Sequence, residues 1–400
     1  MSFTSFNLHS ELLRAVDALG FLVPTPIQKD AIPPACRGRD VLACAMTGSG
    51  KTAAFLLPIL NRLIGQPRGR TRALVLAPTR ELAAQIDEHR RELARFTSIG
   101  GAAIFGGVAM GPQQAAFRRG GDVLVATPGR LLDHFQYPYA RLDALEVLVI
   151  DEADRMLDMG FLPDIRRVLK ALPARRRQTL LFSATLPAAI IDLAHELLLD
   201  PVAINVERAA APAVGISHTA YPVPSELKLP LLLELLKQPD VRNMLVFTRT
   251  KHRANRVAEA LVRRGVAAAR IHGNRSQAQR TQALAAFKAG RVRVLVATDI
   301  AARGIDVTGL SHVVNFDVPH LAEDYIHRVG RTARAEAIGD AITLLSPQEE
   351  DGFRSCERTV GTRIVRVTLP TFDYRARSAE RLEVPLARRF SNVRRSRARR

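Results

Sequence analysis

The chain has little cysteine, no tryptophan and few aromatics, and each scarcity excludes something. Its three cysteines, Cys36, Cys44 and Cys356, are odd in number and far apart. They offer neither a disulfide framework nor the close pairs of a structural zinc site, and they suit a reducing compartment. No apolar run approaches the ~20 residues that span a bilayer, and Leu231-Leu232-Leu233 is broken by Glu234. The amino terminus lacks a basic stretch followed by an apolar one, so no secretory leader and no membrane partner are expected, and the location expected is cytoplasmic. Acidic residues are in deficit, with 39 Asp and Glu against 58 Lys and Arg, a formal charge of +19. That excess points to a polyanionic partner, with a solvated basic surface as the plain alternative. Four hundred residues, 47% of them hydrophobic, are material for two or three domains with cores of their own.

What is present centres on Ala45-Met46-Thr47-Gly48-Ser49-Gly50-Lys51-Thr52. A short apolar run, Asp40-Val41-Leu42-Ala43, reads as a buried strand before it, and Thr52 to Leu63 reads as a helix after it. Strand, Gly-rich turn and helix together form a phosphate cradle whose backbone N–H groups converge on an anion. Lys51 reaches the β- and γ-phosphates, and the Thr52 hydroxyl is a ligand for Mg²⁺. Ala45 stands where the pattern usually has its first glycine. A chance Gly-rich turn is the alternative. A second apolar strand, Val147–Ile150, ends in Asp151-Glu152-Ala153-Asp154. Ligands of open α/β sheets sit at the carboxyl ends of strands, so these acids should face the cradle. Asp151 is suited to Mg²⁺ and Glu152 to deprotonating the water that attacks a γ-phosphate, while three acids in four positions also serve to cap a helix.

Short apolar strands alternate with helical patterns along residues 1–206, at Ala73–Ala77, Val123–Ala126, Thr179–Phe182 and Val202–Val206, which predicts a parallel sheet covered on both faces. Residues 207–215 read as a flexible linker. The alternation resumes over 216–370 with strands at Met244–Phe247, Ala268–Ile271, Val292–Ala297, His312–Asn315 and Ala341–Leu345, but without a second Gly-Lys-Thr. Residues 371–400 carry ten arginines against three acids and read as a disordered basic tail.

Taken in order, Ala45–Thr52, Pro78-Thr79-Arg80-Glu81-Leu82, Thr127-Pro128-Gly129-Arg130, Asp151–Asp154, Ser183-Ala184-Thr185, Ala297–Asp306 and His327–Arg334 resemble the motifs of DEAD-box ATP-dependent RNA helicases. Met1-Ser2-Phe3 and the length are similar to the bacterial RhlE-type branch. The resemblance implies two tandem RecA-like α/β domains, an RNA-dependent ATPase, ATP and Mg²⁺ as cofactors, and RNA held with little regard to sequence by a monomer. Ribosomal precursors and RNA-decay assemblies are the expected settings. Two other readings stay open, an ATP-gated RNA clamp or scaffold that seldom turns over and a DNA-directed translocase of the wider superfamily.

The resemblance also assigns roles. Gly20–Gln28 resembles the family's Q motif: the Gln28 amide pairs with adenine N6–H and N7, as guanine does not allow, and Phe21 stacks on the base. Phe3 supports that loop. Asp306 contacts the ribose. Asp154, Ser183 and Thr185 couple nucleotide state to closure of the lobes, though Ser183 and Thr185 also suit helix capping. RNA-backbone contacts fall to Pro78, Thr79 and Arg80, to Gly106 and Gly107, and to Thr127, Pro128, Gly129 and Arg130, where Thr127 suits an N-cap with Pro128 at the first helical position. In the second lobe they fall to Thr248, Arg249, Gln277, Arg280, Thr298, Asp299 and Arg303. His327, Arg328, Arg331 and Arg334 have helical spacing and are expected on one face. Arg331 and Arg334 are the implied arginine fingers, and His327 and Arg328 are expected to bridge to the first lobe's acids. Ala333 replaces the family's glycine beside Arg334.

Overall fold

The computed structural model describes residues 2–46, 48–174, 177–206, 216–302, 310–332 and 339–376. Thr47, Arg303, Asp306, Ala333, Arg334, the linker 207–215 and the chain from 377 onward lie outside these residues. The described chain forms two compact units, one up to residue 206 and one from 216. Among the described residues no helix is long and apolar enough to cross a membrane.

The first unit contains β1 (Val41–Cys44), β2 (Ala73–Leu76), β3 (Gly101–Ile104), β4 (Val123–Ala126), β5 (Val147–Ile150), β6 (Gln178–Ser183) and β7 (Val202–Asn205). They pair in parallel in the order β3-β4-β2-β5-β6-β1-β7. Each of β2, β4 and β5 is buried throughout, because alternate residues feed two separate cores. Val75, Val123, Val125 and Val149 join Phe55, Leu56 and Ile86 on one face, while Leu74, Leu76, Leu124, Leu148 and Ile150 join Leu131, Ile165 and Ile190 on the other. Apolar residues on both sides of β2, β4 and β5 leave these central strands no solvated face, so helices must cover both.

The second unit contains β8 (Ile216–Pro222), β9 (Met244–Phe247), β10 (Ala268–Ile271), β11 (Val294–Ala297), β12 (His312–Asn315), β13 (Gly339–Leu345) and β14 (Val365–Arg366). Their order is β10-β11-β9-β12-β13-β8-β14, the first unit's order repeated strand for strand. β8 is thus the counterpart of the strand before the Gly-rich turn. The helix after β1 starts at Lys51, and the helix that follows β8 after one turn of 3₁₀ starts at Lys228. Lys228 is buried, donates to the Phe316 carbonyl (2.8 Å) and pairs with Glu349. An internal ion pair therefore stands at the helix start that corresponds, by strand order, to the Gly-rich turn of the first unit.

Two differences from the sequence reading stand out. The strands β3, β8 and β14 are not apolar enough to announce themselves, being small (Gly-Ala-Ala-Ile), polar (Ser217-His218-Thr219) or only two residues long. The tail does not start at 371, because Phe372 and Tyr374 pack against the second unit's core and the Tyr374 hydroxyl accepts the Leu369 N–H at 2.9 Å.

Candidate nucleotide and nucleic-acid sites

β1 leads into the Gly-rich turn, which is fastened to the next strand by the Ala45 N–H donating to the Ser183 carbonyl (2.9 Å). Gly48 and Gly50 take φ of +85° and +92°, which only glycine adopts cheaply. A Cβ on Gly50 would also lie 2.5 Å from Gln28 Nε2, so the turn is packed against the Gln28 loop. Ala45 has no positive φ, which explains why alanine suffices there. Lys51 is buried and its Nζ donates to the Ala45 carbonyl (2.8 Å), curling over the cradle. The Ser49 hydroxyl donates to the Met46 carbonyl (2.7 Å). Gln28 Oε1 accepts the Thr25 N–H (3.0 Å) and Nε2 donates to the Gly50 carbonyl (3.1 Å). Phe21 is 40% exposed and stacks on Phe3 with centroids 6.4 Å apart, while Phe3 is anchored in the core.

The acids follow β5, and β6 lies between β5 and β1. This order sets Ser183-Ala184-Thr185 between the acids and the cradle. Asp154 joins the two motifs: its Oδ2 accepts from the Ala184 N–H (3.1 Å), the Thr185 N–H (2.9 Å) and the Thr185 hydroxyl (3.0 Å). The Asp154 N–H in turn donates to the Ser183 hydroxyl (3.2 Å), which donates to the Thr185 carbonyl (2.7 Å). Asp151 Oδ1 accepts the Glu152 N–H (2.9 Å). Burial pushes the Asp151 carboxyl up to about 7, with Glu152 and Asp154 adding to the rise and Lys51 opposing it. Glu152 sits at φ 52°, ψ 52°, a left-handed conformation that costs a side-chain-bearing residue roughly 1 kcal/mol or more. Strain at this position marks a side chain aimed by the fold. Sequence reasoning missed Arg155, whose Nε is 3.5 Å from Glu152 Oε2 with both side chains buried. The i, i+3 acid–base spacing was the available signal.

The remaining first-unit candidates gather at the carboxyl ends of β2, β3 and β4, the other half of the sheet. Thr79 caps the helix Arg80–Leu93 by accepting the Leu82 N–H (3.2 Å), behind Pro78. Gly106 and Gly107 lie against the Arg80 guanidinium, and a Cβ on Gly107 would sit 2.0 Å from its Nη1. Arg130 donates to the Val108 carbonyl (3.3 Å). Pro128 opens the helix Pro128–Phe135, followed by Gly129, but Thr127 makes no side-chain cap there, unlike the expectation. Three motifs scattered over fifty residues thus meet at one edge.

The second unit corrects several expectations. Arg328 is buried and spends its guanidinium inside its own unit. Nε and Nη2 donate to the two oxygens of Asp299 (2.5 and 2.8 Å), and Nη1 donates to Asn315 Oδ1 (3.0 Å) and the Asp317 carbonyl (2.6 Å). Those bonds occupy the group expected to bridge to the first unit's acids, and they employ Asp299, expected at RNA, as an ion-pair partner. The helix ends at Val329 with Gly330 as its cap, so His327, Arg328 and Arg331 do not form one exposed basic face. Arg331 is buried and donates from Nε to the His327 carbonyl (3.2 Å). Thr248 is buried, with its hydroxyl turned toward the Ala297 and Thr250 carbonyls at 3.4 Å. Arg249 is part-exposed, its N–H held by Asp317 Oδ2 (2.8 Å) and its Nη2 by Glu349 Oε1 (3.0 Å). Thr298 donates its N–H to Ile271 (3.3 Å), and Gln277 and Arg280 follow Ser276, which caps their helix; Arg280 is largely buried.

Comparison with known proteins fits this geometry. Residues 25–193 match the DEAD/DEAH box helicase family and residues 227–336 match the helicase conserved C-terminal domain. The chain is 42% identical over 373 residues to the DEAD-box ATP-dependent RNA helicase CshA of Bacillus subtilis, covering 93% of this chain and 75% of that protein. It is 41% identical to the ATP-dependent RNA helicase CshA of Listeria monocytogenes, covering 93% and 71%. Among solved structures it resembles S. cerevisiae Dbp5 bound to RNA and ADP BeF3, with a TM-score of 0.83, 32% identity, and 92% and 95% of the two chains covered. Mss116p bound to ssRNA and AMP-PNP gives a TM-score of 0.84 at 26% identity, with 93% and 80% covered.

Proposed function

The chain belongs to the DEAD/DEAH box helicase family as an ATP-dependent RNA helicase, and from that premise we propose how its residues divide the work. ATP lies with its phosphates on the N–H groups of the turn ending in Gly48, Ser49 and Gly50, and Lys51 leaves the Ala45 carbonyl for them. Gln28 spends one lone pair on Thr25 and one N–H on Gly50, and its second of each pairs with adenine, on which Phe21 stacks. Thr47 and Asp306 complete the nucleotide contacts.

The oxygen donors of Thr52 and Asp151 fit Mg²⁺, and a buried carboxyl raised to about 7 is one that a cation would return to its charged form. When bound, the ion neutralises charge on the β- and γ-phosphates. Glu152, held by Arg155 and by its own strained backbone, orients and deprotonates the attacking water. RNA runs by its phosphates and sugars along the edge built by Arg80, Gly106, Gly107, Thr127 and Arg130, joined by Arg249, Gln277 and Arg303 of the second unit. Closure of the lobes brings Arg331 and Arg334 to the γ-phosphate and unwinds a short duplex locally. Asp154, bonded to both motifs, transmits the nucleotide state.

The observation that carries this reading is the bond set of Asp154, which ties the hydrolytic acids to the strand beside the phosphate cradle. We further propose a bacterial cytoplasmic monomer acting on ribosomal precursors or decay substrates, with the basic tail as an RNA tether. The likeness to the RhlE-type branch rests on Met1-Ser2-Phe3 and the length, whereas the relatives above bear the name CshA.

The test is ATP hydrolysis with and without single-stranded RNA, for wild type and Glu152→Gln. RNA should stimulate the wild type, and the variant should lose about 10²-fold or more while keeping ATP-dependent RNA binding. Turnover indifferent to RNA, or surviving in Glu152→Gln, would overturn the reading. Equal stimulation by DNA would favour a DNA translocase.

A further inference from the structure

At the amino ends of the second unit's strands three ligand-bearing side chains converge. His312 opens β12, Asp340 lies directly beside it in the parallel register of β13, and Asp240 comes from the loop before β9. His312 Nε2 is 3.5 Å from Asp340 Oδ2 and 3.7 Å from Asp240 Oδ2, and the three ligand atoms all lie within 4.8 Å of one another.

The hydrogen bonds around Ser311 decide which imidazole nitrogen carries the proton. The Ser311 hydroxyl gives its only hydrogen to the Asn243 carbonyl (2.6 Å) and accepts the Asn243 N–H (3.1 Å). His312 Nδ1, 3.0 Å from the same oxygen, must therefore be the donor of that bond. In a neutral ring this leaves Nε2 as a bare lone pair facing two carboxylates, acceptor against acceptors. Among the described residues neither acid forms an ion pair with a lysine or arginine. A lone pair and two negative oxygens with no cation between them repel one another.

We propose that His312 Nε2 and one carboxylate oxygen each from Asp240 and Asp340 form a divalent transition-metal site. One imidazole and two carboxylates suit Zn²⁺ or its neighbours in the first row. Zn–N and Zn–O bonds near 2.0–2.1 Å give a tetrahedron with edges of about 3.3–3.4 Å, close to the observed nitrogen–oxygen separations. Water completes the fourth position. Ser311 fixes the ring by accepting the hydrogen bond from its Nδ1–H, as outer-shell partners of metal-bound histidines do. The ion clips the Asp240 loop to β12 and β13, which makes it a structural site and leaves hydrolysis to the first unit.

The test titrates Zn²⁺ into the full-length protein at pH 7.5 in competition with a chromophoric chelator, for wild type, Asp240→Asn and Asp340→Asn. Asp240 is a loop residue with an exposed side chain, so its variant keeps the fold. The expected result is one bound equivalent whose affinity falls at least tenfold in either variant, with a zinc-dependent rise in Tm that both variants lose. Equal affinity in all three proteins would place the zinc elsewhere and overturn the site. Absence of binding, with His312 Nε2 found protonated at pH 7 by NMR, would overturn it in favour of a proton shared with the acids.

Discussion

Replacing Arg328 separates two accounts of the second unit. In the structure its guanidinium makes four hydrogen bonds within its own unit, two to Asp299 and one each to Asn315 and the Asp317 carbonyl, and it lies 5.1 Å from the centre of the Phe247 ring. Its side chain is 2% exposed and that of Asp299 is 22% exposed. Removing one partner of a buried ion pair costs about 3–5 kcal/mol, and the access of water to Asp299 argues for the lower end. Arg328→Ala should therefore cost about 3 kcal/mol, which in a unit of this size lowers its Tm by roughly 6–12 °C. Arg328→Lys should fall between, because a point charge cannot reproduce the fork. In a double-mutant cycle with Asp299→Ala, the two changes should be strongly non-additive. Thermal unfolding followed by calorimetry reads all three. If Arg328→Ala unfolds within about 2 °C of wild type but loses RNA-stimulated ATPase, the residue works across the units, as the family resemblance implied, and the structural account fails.

Three further outcomes follow from the geometry. Gly107→Ala imposes a side chain at φ +81° and 2.0 Å from Arg80 Nη1, so Arg80 must move; the RNA concentration for half-maximal ATPase should rise about tenfold, with activity without RNA within about twofold, and an unchanged RNA dependence would remove Arg80 from the RNA edge. Asp154→Asn sets an amide against donors on both sides and loses the charge on three bonds, worth about 2 kcal/mol; RNA-stimulated kcat should fall at least about tenfold with nucleotide binding kept, and a wild-type kcat would break the coupling role. Glu349→Gln strands the buried Lys228, with Asp317 4.0 Å away, and should cost about 2–3 kcal/mol at pH 7. Burial raises the Glu349 carboxyl, but Lys228 and Ser346 outweigh it and hold the group below its ordinary 4.5. The wild type thus keeps this contribution above about pH 4.5 and loses it as pH falls through the folded value. Denaturation curves of the two proteins should converge in acid, and a gap constant with pH would contradict the assignment.

Local pattern was enough for the elements whose physics is local. The runs Ala73–Leu76, Val123–Ala126 and Val147–Ile150 are apolar at every position, so they had to be strands buried on both faces. The helix Lys51–Leu63 lies within a residue of where the sequence placed it. The Gly-Lys-Thr turn and the acids after β5 were legible because phosphate and metal chemistry need those residue types at those spacings. Left-handed Glu152 gave no sign in the sequence, since nothing local requires φ > 0 there. The burial of Arg328 gave no sign for a related reason: spacing says which residues share a helix face, not which face is buried.

The order of motifs along the chain, and with it the family and its chemistry, was thus determined by the sequence alone, because each motif is a contiguous segment with its own chemical logic. Their arrangement in space was decided by the strand order. Only the insertion of β6 between β5 and β1 sets Asp154 against Ser183 and Thr185, and only the adjacency of β3, β4 and β2 seats Gly107 on Arg80. The repetition of that order in the second unit, with the Lys228–Glu349 ion pair at the start of the helix after β8, likewise appears only after folding. Parallel crossovers let strands distant in sequence become neighbours, and which ones do so is settled by packing both sheet faces, an energy that no single segment contains.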